Sequence, residues 1–188
     1  MTQVARLSAI RIAKVNHAGE YGAIRIYGAQ IAVCRRFWPK LADRLSELKA
    51  HEVIHCQLFA SALAERGGRP CRAMYLWSMG GWLLGAISAL FGPNQVWACT
   101  EAVEDTVHHH MSDQLAFLRG RDPGLHRLIE SIRAEEEGHL TLARQEKTRD
   151  TWFTRSFEAV IRGSVHLVIW LSTWGDSSRM RRDLRRAA

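Results

Sequence analysis

The same three residues recur in the same order in each half of this chain: Glu20 followed by Glu52-x-x-His55, and Glu104 followed by Glu136-x-x-His139. The two glutamates lie 32 residues apart in both halves, and the second unit follows the first by 84 residues. A single Glu-x-x-His carries little information, because helices contain many such pairs. Its position is the signal. Leu41, Leu45, Leu48, Glu52, His55, Phe59 and Ala62 step alternately by four and three, as do Leu125, Ile129, Ile132, Glu136, His139 and Ala143. That is the apolar stripe of an amphipathic helix. Glu20 falls in line with Ala23, Ile24, Tyr27 and Ile31, and Glu104 with Trp97, Thr100, Val107 and Met111. Glu101 shares part of that last face and competes with Glu104. A carboxylate on a buried stripe costs on the order of several kcal/mol unless it is paired or bound to a metal.

Four buried carboxylates and two imidazoles make a ligand set for two metal ions. A carboxylate has two oxygens and can bridge. Residues three apart on a helix differ by about 60°, so one ion can take both members of Glu-x-x-His. Oxygen donors with one imidazole per ion suit iron or manganese better than zinc or copper. Four glutamates offset the four charges of a divalent pair, leaving a near-neutral site in surroundings of low dielectric. The expected metal ligands are Glu20, Glu52, His55, Glu104, Glu136 and His139, the inventory of a ferritin-like di-iron carboxylate bundle. His51-Glu52-Val53-Ile54-His55 also has the spacing of a zinc peptidase helix. That reading leaves the second Glu-x-x-His unexplained, and His51, about 100° around the helix from Glu52, falls off the stripe. His51 therefore reads as an accident of sequence, and Glu135 and Glu137 as ordinary surface acids. His17, His108, His110 and Met111 are candidates for the shell around the ligands, with His109 completing a histidine run.

The elements that must position these residues are helices. Pro39, Gly67-Gly68 with Pro70, Gly92-Pro93, Asp122-Pro123 and Gly175 punctuate the chain into six segments: about 6–37, 40–66, 72–91, 94–119, 123–148 and 152–174. Asp122 before Pro123 is a helix start, a cap followed by proline in the first turn. The expectation is all-α: one domain over 1–188, a ferritin-like four-helix bundle with two additional apolar helices. No charged residue occurs from Ala73 to Thr100. By hydropathy, Ala73–Phe91 is a transmembrane candidate. Gly80, Gly81 and Gly85 weaken it as a helix, and Trp77 and Trp82 sit mid-run rather than at its ends. Gly163–Gly175 is too short to span and suits a membrane-surface helix. Lying in the membrane interface or buried between helices suits Ala73–Phe91 at least as well as spanning; core packing stays open for both segments, and 72–91 and 152–174 are expected to associate with a membrane. The net charge of +7, with arginines at 179, 181, 182, 185 and 186, favours an anionic partner. Cys34, Cys56, Cys71 and Cys99 lack paired spacing and read as reduced thiols. No secretory signal is expected.

The stretches KVNHAGEYGAIRIYGAQ (Lys14–Gln30), KAHEVIH, CTEAVEDTVHHH (Cys99–His110) and RAEEEGH resemble the 5-demethoxyubiquinone hydroxylase family of ubiquinone biosynthesis. The resemblance runs along most of the chain, and HAGEYGA is its most specific part. It implies a di-iron monooxygenase with two iron ions per chain, their ligands on the six residues already reached by spacing. The implied substrate is a demethoxyubiquinone-type polyprenyl quinone, hydroxylated with O2. Attachment would be peripheral, on the cytoplasmic face of a bacterial inner membrane, or on the mitochondrial inner membrane for a processed eukaryotic chain. The electron donor would be NADH or a reductase, and a lipid-binding partner protein is among the expected partners. Two departures stand out. The family commonly has tyrosine where this chain has Met111, and often ends its last apolar helix with Ser-Glu-Arg, where this chain has Leu171-Ser172-Thr173-Trp174. The rivals are a ferritin-like hydroxylase acting on tRNA, which the positive charge keeps in view although nucleic acid is not the expected partner; an iron-handling ferritin-like protein, opposed by the charge-free stretch; and an inactive lipid-carrying scaffold, opposed by six intact ligands.

Overall fold

Proline and glycine set the helix boundaries. Pro39, Pro93 and Pro123 each occupy the first turn of a helix, where a missing backbone N–H costs nothing. Gly67, Gly92 and Gly120 take positive φ in the connections. A computed structural model describes residues 3–173, together with Gly175 and Ser178. Six helices account for it: α1 (Gln3–Phe37), α2 (Pro39–Glu65), α3 (Met74–Leu90), α4 (Pro93–Leu118), α5 (Pro123–Glu146) and α6 (Trp152–Ser172). Each coincides with an expected segment to within three residues at either end. No strand occurs among the described residues. The basic tail beyond Ser178 and Trp174 lie outside the described residues.

The packing repeats as the sequence does. α1 packs along α2 and α3; α4 packs along α5 and α6. The halves meet where α4 touches α1 and α3, where α2 faces α5, and where α6 reaches α1 and α3. A helix with two close neighbours buries a wider arc than a stripe. In α1, Ile26, Ala29 and Gln30 are buried beside Ala23 and Tyr27, whereas Ile24 and Ile31, expected on the apolar face, are only half-buried. Gln30 donates to Ser88 Oγ at 2.9 Å, tying α1 to α3.

The glycines of α3 have a packing role that hydropathy does not reveal. A Cβ on Gly81 would run into the carbonyl of Gly22, and one on Gly85 into the carbonyl of Ile26, so α3 lies directly against the α1 backbone. Trp77 is buried against Gly22 and Ala18. The other face of α3 leaves Tyr75, Met79, Trp82 and Leu83 exposed. Half of the charge-free segment is thus core and half is apolar surface. No helix among the described residues is long and apolar enough to cross a membrane. All four cysteines are free thiols.

Candidate metal centre

The six residues singled out by spacing come from four helices and meet in the seam between the halves. Glu20 stands on α1, Glu52 and His55 on α2, Glu104 on α4, and Glu136 and His139 on α5. Their relative exposures are all 5% or less. They form two quartets, Glu20–Glu52–His55–Glu136 and Glu52–Glu104–Glu136–His139. Within each quartet one donor atom per residue lies within 4.8 Å of the others, the spread a single ion could gather. Glu52 and Glu136 belong to both. The stripe geometry explains the convergence: leucines and isoleucines flanking the ligands bury α2 and α5, and the ligands are carried inward with them.

The electrostatics are those of a cluster short of positive charge. Burial, and then the neighbouring Glu52 and Glu136 carboxylates, push Glu20 well above the usual carboxylate range. Burial, Glu136 and Glu52 do the same to Glu104. For Glu136, burial pushes upward, but the His139 and His55 imidazoles outweigh it and hold the carboxyl at about 2. His139 is correspondingly raised to about 11, Glu136 and Glu52 outweighing burial.

His55 Nδ1 lies 2.8 Å from Glu136 Oε1, and His139 Nδ1 lies 2.9 Å from Glu136 Oε2 and 3.3 Å from Glu52 Oε1. These contacts are close but not aligned for N–H donation. Both histidine Nδ1 atoms, both Glu136 oxygens and Glu52 Oε1 have no hydrogen-bond partner among the described residues. Buried polar atoms without partners are rare. Here five of them face one another around a common space. The donor set therefore fits divalent cations.

Glu101 is not in either quartet. Its carboxylate pairs with Lys147 and, at 3.4 Å, with Arg144. Tyr27, noticed in the sequence only as a stripe residue, is buried and donates its hydroxyl to Glu104 Oε1 at 3.0 Å. Position 111 is its counterpart, each lying seven residues after its glutamate. Met111 is fully buried in an apolar cluster with Phe59, Ile129 and Ile132, and a thioether has no proton to donate.

The surrounding histidines divide. His108 accepts from Arg133, whose Nη2 is 3.0 Å away, and its Nδ1 lies 3.4 Å from Glu137. It faces away from both quartets into this surface network. His109 is exposed and bonds the Asp105 carbonyl. His110 is buried and meets His166 Nδ1 at 3.1 Å. His17 is half-buried, and burial lowers its pKa. Two readings need correction. His51 is exposed, as its place off the stripe required, yet its Nδ1 lies 3.0 Å from His139 Nε2, the two rings end to end and within 12° of coplanar. Glu135 is largely exposed, yet its carboxylate accepts from His55 Nε2 at 3.1 Å. The missed signal was the repeat itself, because His51 and Glu135 are also 84 residues apart.

A cavity of about 420 Å³ opens onto the cluster between α1, α3, α4 and α6. Glu20 and Glu104 lie in its wall, with Ile26, Val103, Val107, Leu84 and Val165. Asn16 and Gln114, which exchange side-chain hydrogen bonds at 2.8 and 3.0 Å, and His110 supply polar groups. Leu83 lines the cavity and is also half exposed, so the cavity wall continues into the apolar outer face of α3.

Comparison with known proteins gives consistent relatives. The family model described as ubiquinone biosynthesis protein COQ7 matches residues 8–172. A protein of Rhodospirillum rubrum named 3-demethoxyubiquinol 3-hydroxylase is 33% identical over 162 residues, covering 86% of this chain and 76% of that protein. The human mitochondrial protein named NADPH-dependent 3-demethoxyubiquinone 3-hydroxylase is 32% identical over 176 residues, covering 92% of this chain and 80% of its own length. A Saccharomyces cerevisiae protein named 5-demethoxyubiquinone hydroxylase is 36% identical over a shorter stretch, 56% of this chain and 45% of that protein.

Proposed function

The chain belongs to the ubiquinone biosynthesis protein COQ7 family, and we propose that it is an O2-dependent monooxygenase that hydroxylates the ring of a demethoxyubiquinone-type polyprenyl quinone. The observation that carries this reading is an apolar cavity ending on two buried carboxylates of a metal-competent cluster. A prenylated ring needs an apolar sheath with a few polar groups at its end.

In this reading two irons would be held by the two quartets, one with Glu20 and His55 and the other with Glu104 and His139, Glu52 and Glu136 being common to both. The two irons, when bound, would supply the activation of O2 and the transfer of one oxygen atom to the ring, the other leaving as water with two electrons from the reductant. The chain's own residues do the rest. Ile26, Val103, Val107 and Val165 exclude water from the space beside the cluster. Tyr27 donates to Glu104 Oε1 and would hold that carboxylate in position. Asn16, Gln114 and His110 orient the oxygens of the ring, while Leu83 and Leu84 guide the prenyl chain. The whole chain acts as one ferritin-like unit.

Attachment to the membrane is peripheral, through the exposed apolar faces of α3 and α6: Met79 and Trp82 on one, Leu167, Trp170 and Leu171 on the other. In a bacterium this is the cytoplasmic face of the inner membrane; several relatives are named mitochondrial. The names of the mammalian relatives point to a nicotinamide reductant.

The test is metal analysis of protein purified with iron, followed by anaerobic reduction and exposure to O2 with a demethoxyubiquinone. About two irons per chain and a hydroxylated product are expected. Two irons without turnover would remove the substrate assignment, and one zinc would remove the di-iron centre.

A further inference from the structure

Each candidate ligand histidine presents Nδ1 to the cluster and Nε2 away from it. What meets Nε2 differs between the halves. His55 Nε2 lies 3.1 Å from a Glu135 oxygen; His139 Nε2 lies 3.0 Å from His51 Nδ1. The partner comes from across the seam each time: Glu135 on α5 reaches the histidine of α2, and His51 on α2 reaches the histidine of α5. Both immediately precede the Glu-x-x-His glutamate of their own helix, so they occupy one repeat position. Both are exposed, while the rings they touch are buried.

We propose that Glu135 and His51 are a crossed pair of positioning residues that fix the Nε2–H form of the two ligand histidines and, because one is a carboxylate and the other an imidazole, make the two metal positions unequal. This rests on the metal-centre reading above. The chemistry follows from donor capacity. A histidine bound to metal through Nδ1 must carry its proton on Nε2. That N–H needs an acceptor. A carboxylate is the stronger acceptor and raises the basicity of the ring it holds. A neutral imidazole accepts through one lone pair and raises it less. His55 is therefore the stronger ligand. The ion shared by Glu20 and His55 is held more tightly, and the ion shared by Glu104 and His139 is held more loosely and leaves first. The ring of His51 lies end to end with that of His139, nearly coplanar with it, at a centroid distance of 5.3 Å, so the contact runs N to N in the ring plane.

The experiment is anaerobic titration of the full-length metal-free chain with ferrous ion, followed by equilibrium dialysis and Mössbauer spectroscopy. The wild-type chain should bind in two steps and give two distinguishable iron signals. Glu135→Ala should weaken the tighter step by roughly 10–100-fold and leave the weaker step in place, and His51→Ala should do the reverse. Glu135→Gln, which keeps an acceptor oxygen, should recover part of the loss. His51→Glu should tighten the weaker step and bring the two signals together. Both substituted positions are exposed, so a misfolded product is not expected, and the Gln variant separates loss of the acceptor from loss of bulk. Wild-type affinities and spectra in all four variants would overturn the proposal, leaving two surface contacts. Equal weakening of both steps by either variant would overturn the assignment of one residue to one ion. A wild-type chain that takes fewer than two ferrous ions would overturn the metal-centre reading and this proposal with it.

Discussion

A carboxylate sealed in an apolar seam needs a compensating charge, and Glu136 has the most demanding position of the six. It belongs to both quartets and lies against both histidines. Glu136→Ala should therefore lose both ions and all turnover. Glu20→Ala, which touches one quartet, should lose about one ion. Metal analysis of the two variants side by side distinguishes them, and equal loss would show that Glu136 does not bridge. That these six residues would meet was legible because spacing is a one-dimensional property: a glutamate on a leucine stripe stands out, and an equal interval in two halves argues against coincidence. Tyr27, His51 and Glu135 were not legible in that way. Their partners, Glu104, His139 and His55, lie on other helices, and nothing in a helix's own periodicity says which residue faces it across a seam. Tyr27→Phe tests the clearest of these contacts. It leaves a buried Glu104 oxygen without its donor, so thermal stability of the metal-free chain should fall by roughly 1–3 kcal/mol. No change in melting temperature would show that the phenol is dispensable there.

Helix limits were readable because prolines and glycines act locally, and Asp122 shows how much one such position carries. Its carboxylate caps α5 by accepting from the Leu125 N–H at 3.0 Å, and it takes two 2.8 Å hydrogen bonds from Arg66 at the end of α2. Asp122→Ala removes cap and ion pair together and should cost roughly 2–3 kcal/mol. Asp122→Asn, which keeps the cap, should cost less. The Arg66 guanidinium holds the Asp122 carboxyl below the usual carboxylate range. A depressed folded-state value means that this stability is present above about pH 4, the unfolded value, and is lost as pH falls through the folded one. The gap in melting temperature between wild type and Asp122→Asn should therefore shrink below about pH 4; a constant gap would mean that charge plays no part. In α3 the outcome depends on what each glycine faces. A methyl group at Gly85 meets the Ile26 carbonyl, whereas one at Gly80 meets nothing. Gly85→Ala should cost roughly 1–3 kcal/mol by prising α3 from α1, and Gly80→Ala should stabilise by up to about 1 kcal/mol through helix propensity. Melting curves with the same sign for both would contradict the close approach.

At the scale of the molecule, the doubled Glu…Glu-x-x-His anticipated a doubled architecture, α1 with α2 and α3, then α4 with α5 and α6. It did not anticipate the cavity, because a void is made by faces of four helices and belongs to none of their sequences. Nor did hydropathy decide the fate of the charge-free segment. Gly81, Gly85 and Trp77 turn inward, while Tyr75, Met79, Trp82 and Leu83 turn outward. The outward residues of α3 and the exposed Trp152, Leu167, Trp170 and Leu171 of α6 make an apolar surface, and Phe91 at the end of α3 packs edge-on to Phe153 of α6 at 5.4 Å. In the proposed attachment this surface is the interaction site, and a net charge of +7 would favour anionic headgroups. Burying one large apolar side chain contributes roughly 1.5–3 kcal/mol. Replacing Trp82 and Leu167 together by glutamate should therefore weaken partitioning onto anionic phospholipid vesicles by at least about tenfold, read by co-sedimentation. Neither residue lines the cavity or touches the ligands, so the iron content of the variant should stay at the wild-type level. Turnover of a short-chain quinone in detergent should stay as well, while turnover of a long-chain quinone presented in vesicles falls with binding. Unchanged sedimentation would remove α3 and α6 as the membrane face. Loss of iron together with binding would mean instead that these outer residues hold the bundle in shape.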